Sequence, residues 1–194
     1  MTKPPAEKTA NESRSDEELL AGYLSGENQC FDEIVKRYKN PITRVACRYL
    51  GGDMDTAADA AQQTFVRVFT HGKSFRREGS FKSWLFTIAV NQALTLARTR
   101  ARRSEEPFTL PASTGVQSRP DSIAESSERA AILNNAVKKL PEKQRLVLTL
   151  RVDAELPFSQ IAVIARMSEV SAKVNYHHAV VSLKKILGGG GNEV

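Results

Sequence analysis

Apolar residues recur at spacings of three and four along nearly the whole chain, which is the pattern of amphipathic helices. Phe31, Ile34, Val35 and Tyr38 form one such stripe. No stretch of the sequence shows the strict alternation of polar and apolar residues that is typical of a half-buried strand. The pattern therefore predicts an all-α protein.

Glycine, proline and aspartate mark where the predicted helices begin and end. Gly51 and Gly52 follow an apolar stripe and are typical of a helix C-terminus. Asp53 comes next, and an acidic residue is favourable near the positive N-terminus of a helix. The pair Asn40 and Pro41 resembles a cap followed by a first helical residue, so it predicts a helix boundary.

The composition changes at residues 104–126, which contain three prolines, many small polar residues and little periodicity. Such a stretch is typical of a linker. Between residues 104 and 128 the chain carries five acidic residues against Arg119 as the single basic one. We predict two small helical domains, at residues 16–103 and 128–187, joined by a flexible linker at residues 104–127. Residues 1–15 and 188–194 are predicted to be a disordered tail and a flexible tail.

Charge and composition narrow the classes of function. The chain has 194 residues, a formal net charge of +6 and a pI of about 9.4, which favours a polyanionic partner without identifying it. Cys30 and Cys47 are too few for a disulfide framework or a cysteine-rich zinc site, and we expect both to be buried in a reducing cytosol. The N-terminus lacks the apolar core of a signal peptide, and no apolar run approaches the roughly 18 residues of a membrane span.

The C-terminal residues fit the pattern of a helix-turn-helix motif. Such a motif needs apolar residues at fixed offsets, because its two short helices pack at a steep angle. An ordinary helical hairpin remains the alternative for this segment. The residues that fit the inward positions are Ile161, Ala165, Met167, Ala172 and Tyr176.

In a helix-turn-helix motif, the outward face of the second helix lies in the major groove of DNA. The candidates for this face are Ser171, Lys173, Asn175, His177 and His178. Asn175 suits an adenine edge, and Lys173 suits a guanine or a phosphate. The neighbouring histidines do not indicate a metal site, because adjacent helical residues diverge by about 100° and no third ligand is evident.

Residues 73–103 combine eight basic residues with four aromatic residues and a single acid. Cations beside aromatic rings are typical of proteins that bind single-stranded DNA, whose unpaired bases stack on the rings. Phe75 lies in a predicted loop and is available to a base, whereas Phe81 and Trp84 are expected mainly in the core. Asn91 lies on the following helix and carries an amide able to bind a base edge. The candidates for phosphate binding are Arg98, Arg100, Arg102 and Arg103, with a solvated helix end as the alternative.

Three segments carry a family resemblance: DTAADAAQQTFVRVF at residues 55–69, SFKSWLFTIAVNQALTLAR at residues 80–98, and LPEKQRLVLTLRVDAELPFSQIAVIA at residues 140–165. In order and spacing they resemble bacterial extracytoplasmic-function sigma factors, and the likeness covers residues 16–187. It implies a sigma-2 helical bundle followed by a sigma-4 helix-turn-helix domain. It also implies a non-enzymatic initiation subunit of RNA polymerase, with no cofactor and no small-molecule substrate.

The resemblance implies roles for individual residues of the first domain. A polar helix face would bind the polymerase clamp, through Asp55, Asp59, Gln62 and Gln63. The loop and helix that follow would capture a flipped base of the minus-ten promoter element, at a cost of a few kcal/mol that a fitted pocket recovers. The minus-ten residues would be Phe75, Ser80, Trp84, Ala89, Asn91, Arg98 and Arg102.

The second domain would bind the polymerase flap and the minus-thirty-five element together, while the linker threads toward the active-centre and RNA-exit channels. The family usually has more arginine where this chain has Asn175, His178 and Val180. This departure predicts an unusual sequence preference, or binding that weakens above the histidine pKa. The resemblance further implies a cytoplasmic protein and an anti-sigma factor that covers both polymerase-binding faces. A membrane-tethered anti-sigma factor would hold the chain at the inner membrane face.

A stand-alone helix-turn-helix regulator, which binds duplex DNA without polymerase, is the main alternative. Such a regulator would need neither the polar face at residues 55–63 nor the basic, aromatic stretch at residues 73–103. An enzyme is disfavoured, because the sequence has no Ser/His/Asp order, no metal-spaced ligands and no phosphate-binding glycine loop.

Overall fold

The computed structural model describes residues 11–76, 79–103 and 124–188, without the side chains of residues 100–103 and 124–130. This part of the chain forms α-helices and no strand, which confirms the all-α prediction. Residues 104–123 of the predicted linker, and residues 1–10 and 189–194 of the predicted tails, lie outside it. The helices are α1 (Asp16–Leu24), α2 (Asn28–Tyr49), α3 (Met54–His71), α4 (Phe81–Arg103), α5 (Ala124–Lys138), α6 (Glu142–Val152), α7 (Phe158–Ala165) and α8 (Glu169–Gly188).

Two helices begin at side chains that bind free backbone N–H groups. At the start of α1, Ser15 and Glu18 form a reciprocal capping box, in which the backbone N–H of each residue donates to the side chain of the other. At the start of α3, Asp53 accepts a hydrogen bond of 3.0 Å from the backbone N–H of Thr56, so the predicted helix start is confirmed.

The predicted helix boundary at Asn40 and Pro41 is wrong, because α2 runs through both residues without a break. A proline inside a helix removes one backbone hydrogen bond and costs roughly 3 kcal/mol. The continuous helix offsets this cost because one apolar stripe is buried along its whole length. Ile34 and Ile42 on either side of the proline are fully buried, and each such side chain contributes about 1.5–3 kcal/mol.

Helices α1–α4 form a first helical unit around a core of aromatic and aliphatic side chains. Phe81 and Phe86 of α4 are fully buried and meet Tyr38 of α2 edge-on, with ring centroids 6.2 Å apart in both pairs. Arg37 of α2 donates hydrogen bonds to the backbone carbonyls of residues 11, 12 and 14. Residues 11–15, assigned to the tail from sequence, therefore lie against this unit.

Helices α5–α8 form a second helical unit, which contains the predicted helix-turn-helix. Ile161 of α7 and Ala172 of α8 are fully buried where the two helices meet. Arg166 ends α7 with a φ of 50°, in the left-handed region where glycine is the common residue. The structure therefore shows a left-handed turn at the position where the motif commonly has glycine.

The two units are packed together. Leu146 and Leu150 of α6 and Ile161 of α7 belong to the same buried cluster as the core of the first unit. Helix α6 lies against α2, and α7 lies against α4. Among the described helices, none combines the length and the apolarity of a membrane span.

Candidate nucleic-acid and protein interfaces

Phe75 lies directly after a short 3₁₀ helix, Gly72–Ser74, and begins an aromatic cluster at the N-terminus of α4. The centroid of its half-buried ring lies 5.9 Å from the ring centroid of Phe81 and 5.5 Å from that of Trp84. Phe81 is fully buried, as expected for a core residue, whereas Trp84 is only half-buried. The cluster therefore holds two half-buried rings against a third ring that is fully buried.

Ser80 and Glu17 fix the start of α4 beside this cluster. The backbone N–H of Ser83 donates to Ser80 Oγ at 3.1 Å, which is an N-terminal cap. The backbone N–H of Phe81 donates to Glu17 Oε1 at 2.9 Å, so α1 holds the first turn of α4 from the side. These contacts give the half-buried ring of Trp84 a defined position.

Asn91 and Arg98 are exposed on α4. They are seven residues apart, so they lie on one face of the helix. Ala89, by contrast, is 1% exposed and packs in the core, so its side chain has no open path to DNA in this arrangement. The side chain of Arg102 lies outside the described residues, as do those of Arg100 and Arg103.

The four polar residues predicted on α3 are all exposed: Asp55, Asp59, Gln62 and Gln63. Three of them line a shallow depression of about 560 Å³ that also reaches Arg67 and His71 on α3 and Gln92 on α4. The structure therefore brings three of the predicted residues together in one open depression, and Asp55 is exposed on the same helix outside it.

Beside this surface lies an apolar groove between α2 and α3, with a volume of about 680 Å³. Its wall includes Phe31 and Val35 of α2 and Phe65, Val66 and Phe69 of α3. Val66 and Phe69 are 55% and 57% exposed, which is unusual for large apolar side chains on one helix. Sequence reasoning missed this groove, although α3 has apolar residues on more than its buried face.

The side of the groove near α1 is rigid, because three aromatic rings pack there. The ring centroids of Tyr23 and Phe31 are 5.0 Å apart, and those of Phe31 and Phe69 are 5.5 Å apart. Tyr23 Oη also donates a hydrogen bond of 3.0 Å to the backbone carbonyl of Phe69. A partner would therefore meet a preformed surface.

On α8, the predicted base-reading residues divide into two groups. Ser171, Lys173, His177 and His178 are exposed, whereas Asn175 is half-buried. The amide of Asn175 donates to the backbone carbonyl of Ser171 at 2.8 Å, so it is engaged within its own helix. Lys173 forms an exposed ion pair with Glu169 at 2.7 Å.

Burial weakens the acidity of several groups in this structure. It raises the pKa of the Cys47 thiol, with a further contribution from Asp53. Burial also raises the pKa of Cys30, and the hydrogen bond to Glu27 adds to this effect. A raised thiol pKa disfavours the reactive thiolate. The described residues also contain no group of three His, Cys, Asp or Glu side chains placed to share a metal ion.

Two family models match the chain, one on each helical unit. The model of sigma-70 region 2 matches residues 34–103, and the model of sigma-70 region 4 matches residues 130–183. Together they cover more than half of the chain, and they follow one another in the order of the two units.

Relatives of known function and solved structures agree with these models. The chain is 28% identical over 164 residues to the ECF RNA polymerase sigma-E factors of Salmonella typhimurium and Escherichia coli, covering 79% of this chain and 84% of each relative. It matches the structure of CnrH in complex with the cytosolic domain of CnrY with a TM-score of 0.67 at 21% identity, over 90% of this chain and 97% of CnrH. The sigma factor RpoE in complex with the anti-sigma factor NepR, from Bartonella quintana, matches with a TM-score of 0.66 at 22% identity, over 81% of this chain and 96% of RpoE.

Proposed function

The chain belongs to the extracytoplasmic-function sigma factors of bacterial RNA polymerase. From that premise we propose which of its surfaces bind polymerase and which bind promoter DNA. As a member it is an alternative sigma factor that binds core polymerase, directs it to promoters and begins DNA opening. The family is not an enzyme class. We propose that this chain acts by binding energy alone, without a catalytic residue.

The domain limits proposed from sequence are residues 16–103 for sigma-2, residues 104–127 for the linker and residues 128–187 for sigma-4. The family models support these limits, because region 2 ends at residue 103 and region 4 begins at residue 130. Helix α4 also ends at Arg103. We propose that the interdomain linker crosses polymerase between the two DNA-binding domains.

The polymerase clamp is proposed to bind the outer surface of α3. Asp59 and Gln62 are exposed there, and Gln62 lines both the polar depression and the apolar groove. A surface with an apolar centre and a polar rim is typical of protein interfaces. We therefore extend the proposed contact from Asp55, Asp59, Gln62 and Gln63 to the exposed side chains of Val66 and Phe69.

Minus-ten recognition is proposed for the aromatic cluster and the exposed face of α4. Phe75 and Trp84 have half-buried rings on which an unpaired base could stack, with Ser80 at the same end of the helix. Asn91 supplies a donor and an acceptor for a base edge, while Arg98 and Arg102 supply positive charge for phosphates. We assign Ala89 to the packing of α4, because its side chain is buried.

Minus-thirty-five recognition is proposed for α8, with the polymerase flap binding the same domain. Of the residues predicted from sequence, Ser171, Lys173, His177 and His178 are exposed enough to meet the major groove. Asn175 would have to release its bond to the carbonyl of Ser171 before it could read a base.

An anti-sigma factor is the proposed regulator, because RpoE, which shares this fold, was solved with the anti-sigma factor NepR, and CnrH was solved with the cytosolic domain of CnrY. The apolar groove is a preformed surface for it, and occupation of the groove would exclude the clamp. We propose that the chain works in the cytoplasm, where a membrane-tethered anti-sigma factor would hold it at the inner membrane face.

The observation that carries the proposal is the match of both sigma regions, in order, to the two helical units. A stand-alone regulator does not account for region 2 over residues 34–103. Run-off transcription with purified core polymerase and genomic fragments tests the proposal. Transcripts that share a pair of upstream elements are expected, whereas tight and specific duplex binding without polymerase would favour the regulator.

A further inference from the structure

The exposed face of α8 carries three valines, with the exposed side chain of His177 among them. Ala172 and Ala179 are fully buried and define the face of α8 that packs on the other helices of the second unit. On the opposite face, Val170, Val174 and Val181 are 71%, 46% and 51% exposed. At about 100° per residue, these three valines project within about 40° of one another and directly away from the buried alanines.

Lysines lie at both ends of this valine stripe. Lys173 lies beside it and is paired with Glu169, and Lys184 and Lys185 follow at the C-terminal end of α8, all exposed. An apolar stripe with cations nearby suits a polyanion that offers apolar groups in a groove. The C5-methyl of thymine is the apolar group of the DNA major groove, and side chains that contact it are themselves apolar.

We infer that Val170 and Val174 read thymine methyl groups in the minus-thirty-five element, which rests on the sigma function proposed above. Residues near the N-terminus of a recognition helix reach base edges, so these two valines are placed to do so and Val181 is not. The side chain of Asn175, which would read adenine, is turned toward its own helix. Thymine methyl groups would therefore add to the specificity of this domain, beside the polar contacts proposed for Ser171, Lys173, His177 and His178.

Replacement of thymine by uracil tests this inference, because it removes the methyl and leaves the hydrogen-bonding groups unchanged. Holoenzyme containing the full chain selects promoters from a random duplex pool, and each thymine of the selected upstream element is then replaced in turn. We expect at least one replacement to weaken wild-type holoenzyme binding about fourfold, the effect of one buried methyl-sized group. The matching Val170→Ala or Val174→Ala holoenzyme should no longer distinguish thymine from uracil there.

Val181→Ala is the matched control, because it removes the same atoms from the same face beyond the reach of the bases. It should keep the wild-type preference for thymine. The inference is overturned if wild-type holoenzyme binds thymine and uracil equally at every position, if the selected element has no A·T pair, or if the Val174→Ala and Val170→Ala forms keep the wild-type preference. Run-off transcription by the wild type is scored separately, so failure of the sigma function itself would be recognised.

Discussion

Tyr49 Oη, near the end of α2, donates a hydrogen bond of 2.5 Å to Glu142 Oε1, at the start of α6. The guanidinium of Arg145 lies over the same ring, 5.9 Å from its centroid. Burial raises the pKa of Tyr49, and the hydrogen bond to Glu142 adds to the increase, so the hydroxyl remains a donor at neutral pH. One residue thus joins the two units by apolar packing, a hydrogen bond and a cation–π contact.

Tyr49→Phe removes only the hydroxyl and should lower the free energy of unfolding by roughly 1 kcal/mol. The variant should also have a larger radius of gyration, because the lost hydrogen bond holds the two units together. Tyr23→Phe is the control, since its hydroxyl bonds Phe69 within the first unit. It should lower stability without expanding the chain. Equal expansion of both variants would contradict this assignment of the Tyr49 hydroxyl.

The packing of the two units should depend on pH through Asp153. Burial raises the pKa of its carboxyl above 3.8, and Arg48 and Arg44 offset this only in part. Because the pKa in the packed state is the higher one, Asp153 contributes most to packing below about pH 3.8. That contribution is lost as the pH rises through the raised value.

Asp153→Asn should remove this dependence, because the amide does not titrate. The measurement is the difference in stability between wild type and variant from about pH 4 to about pH 7, which cancels the other carboxyl groups. The wild type should lose stability relative to the variant as the pH rises. A flat difference would show that Asp153 titrates alike in the packed and separated states.

Some features of this structure could be predicted from local patterns and others could not. The helical period gave the all-α class, and Asp53 gave the start of α3, because both depend on neighbours in sequence. The helix boundary predicted at Pro41 is wrong, because burial of the apolar stripe of α2 contributes more free energy than the one lost hydrogen bond costs. The role of Asp153 depends on Arg48, more than 100 residues away, and no local pattern contains that pair.

The candidate sites show the same division. Exposure of Asp59 and Asn91 could be expected, since polar residues opposite an apolar stripe face solvent. The engagement of the Asn175 amide could not, because it depends on a rotamer choice between solvent and the carbonyl of Ser171. The exposed valines of α8 carry no signal in the sequence, because single exposed apolar residues are common on protein surfaces.

Asn91→Ala should impair promoter opening while leaving core binding unchanged, because the proposed contact forms only with an unpaired base. The two quantities are the affinity for core polymerase and the rate of opening on duplex promoter DNA. The defect should persist on a template with a pre-melted bubble, since the base-edge contact is lost there too. Thr95→Ala, at an exposed position one turn further along α4, should change neither quantity. Equal loss of core binding in a folded Asn91→Ala protein would contradict the assignment.

Asp59→Arg should have the reverse effect. It reverses one exposed charge that lines the polar depression on α3, so core affinity should fall about tenfold or more while the free chain stays folded. Glu155→Arg makes the same change of charge on the second unit and should leave core affinity unchanged. Undiminished core affinity in Asp59→Arg would place the clamp contact elsewhere.

A polar substitution in the apolar groove should weaken binding to core polymerase and leave the free energy of unfolding nearly unchanged. Val66 is 55% exposed, so Val66→Ser removes little buried surface and should change the free energy of unfolding by about 0.5 kcal/mol or less. The same substitution puts a polar group at the centre of the proposed interface and should weaken core binding about tenfold. Val163→Ser is the control, because Val163 is 72% exposed on α7 and does not line the groove. If Val66→Ser and Val163→Ser bind core polymerase equally well, the groove is not part of the clamp contact. The exposed side chains of the groove would then be proposed to bind the anti-sigma factor only.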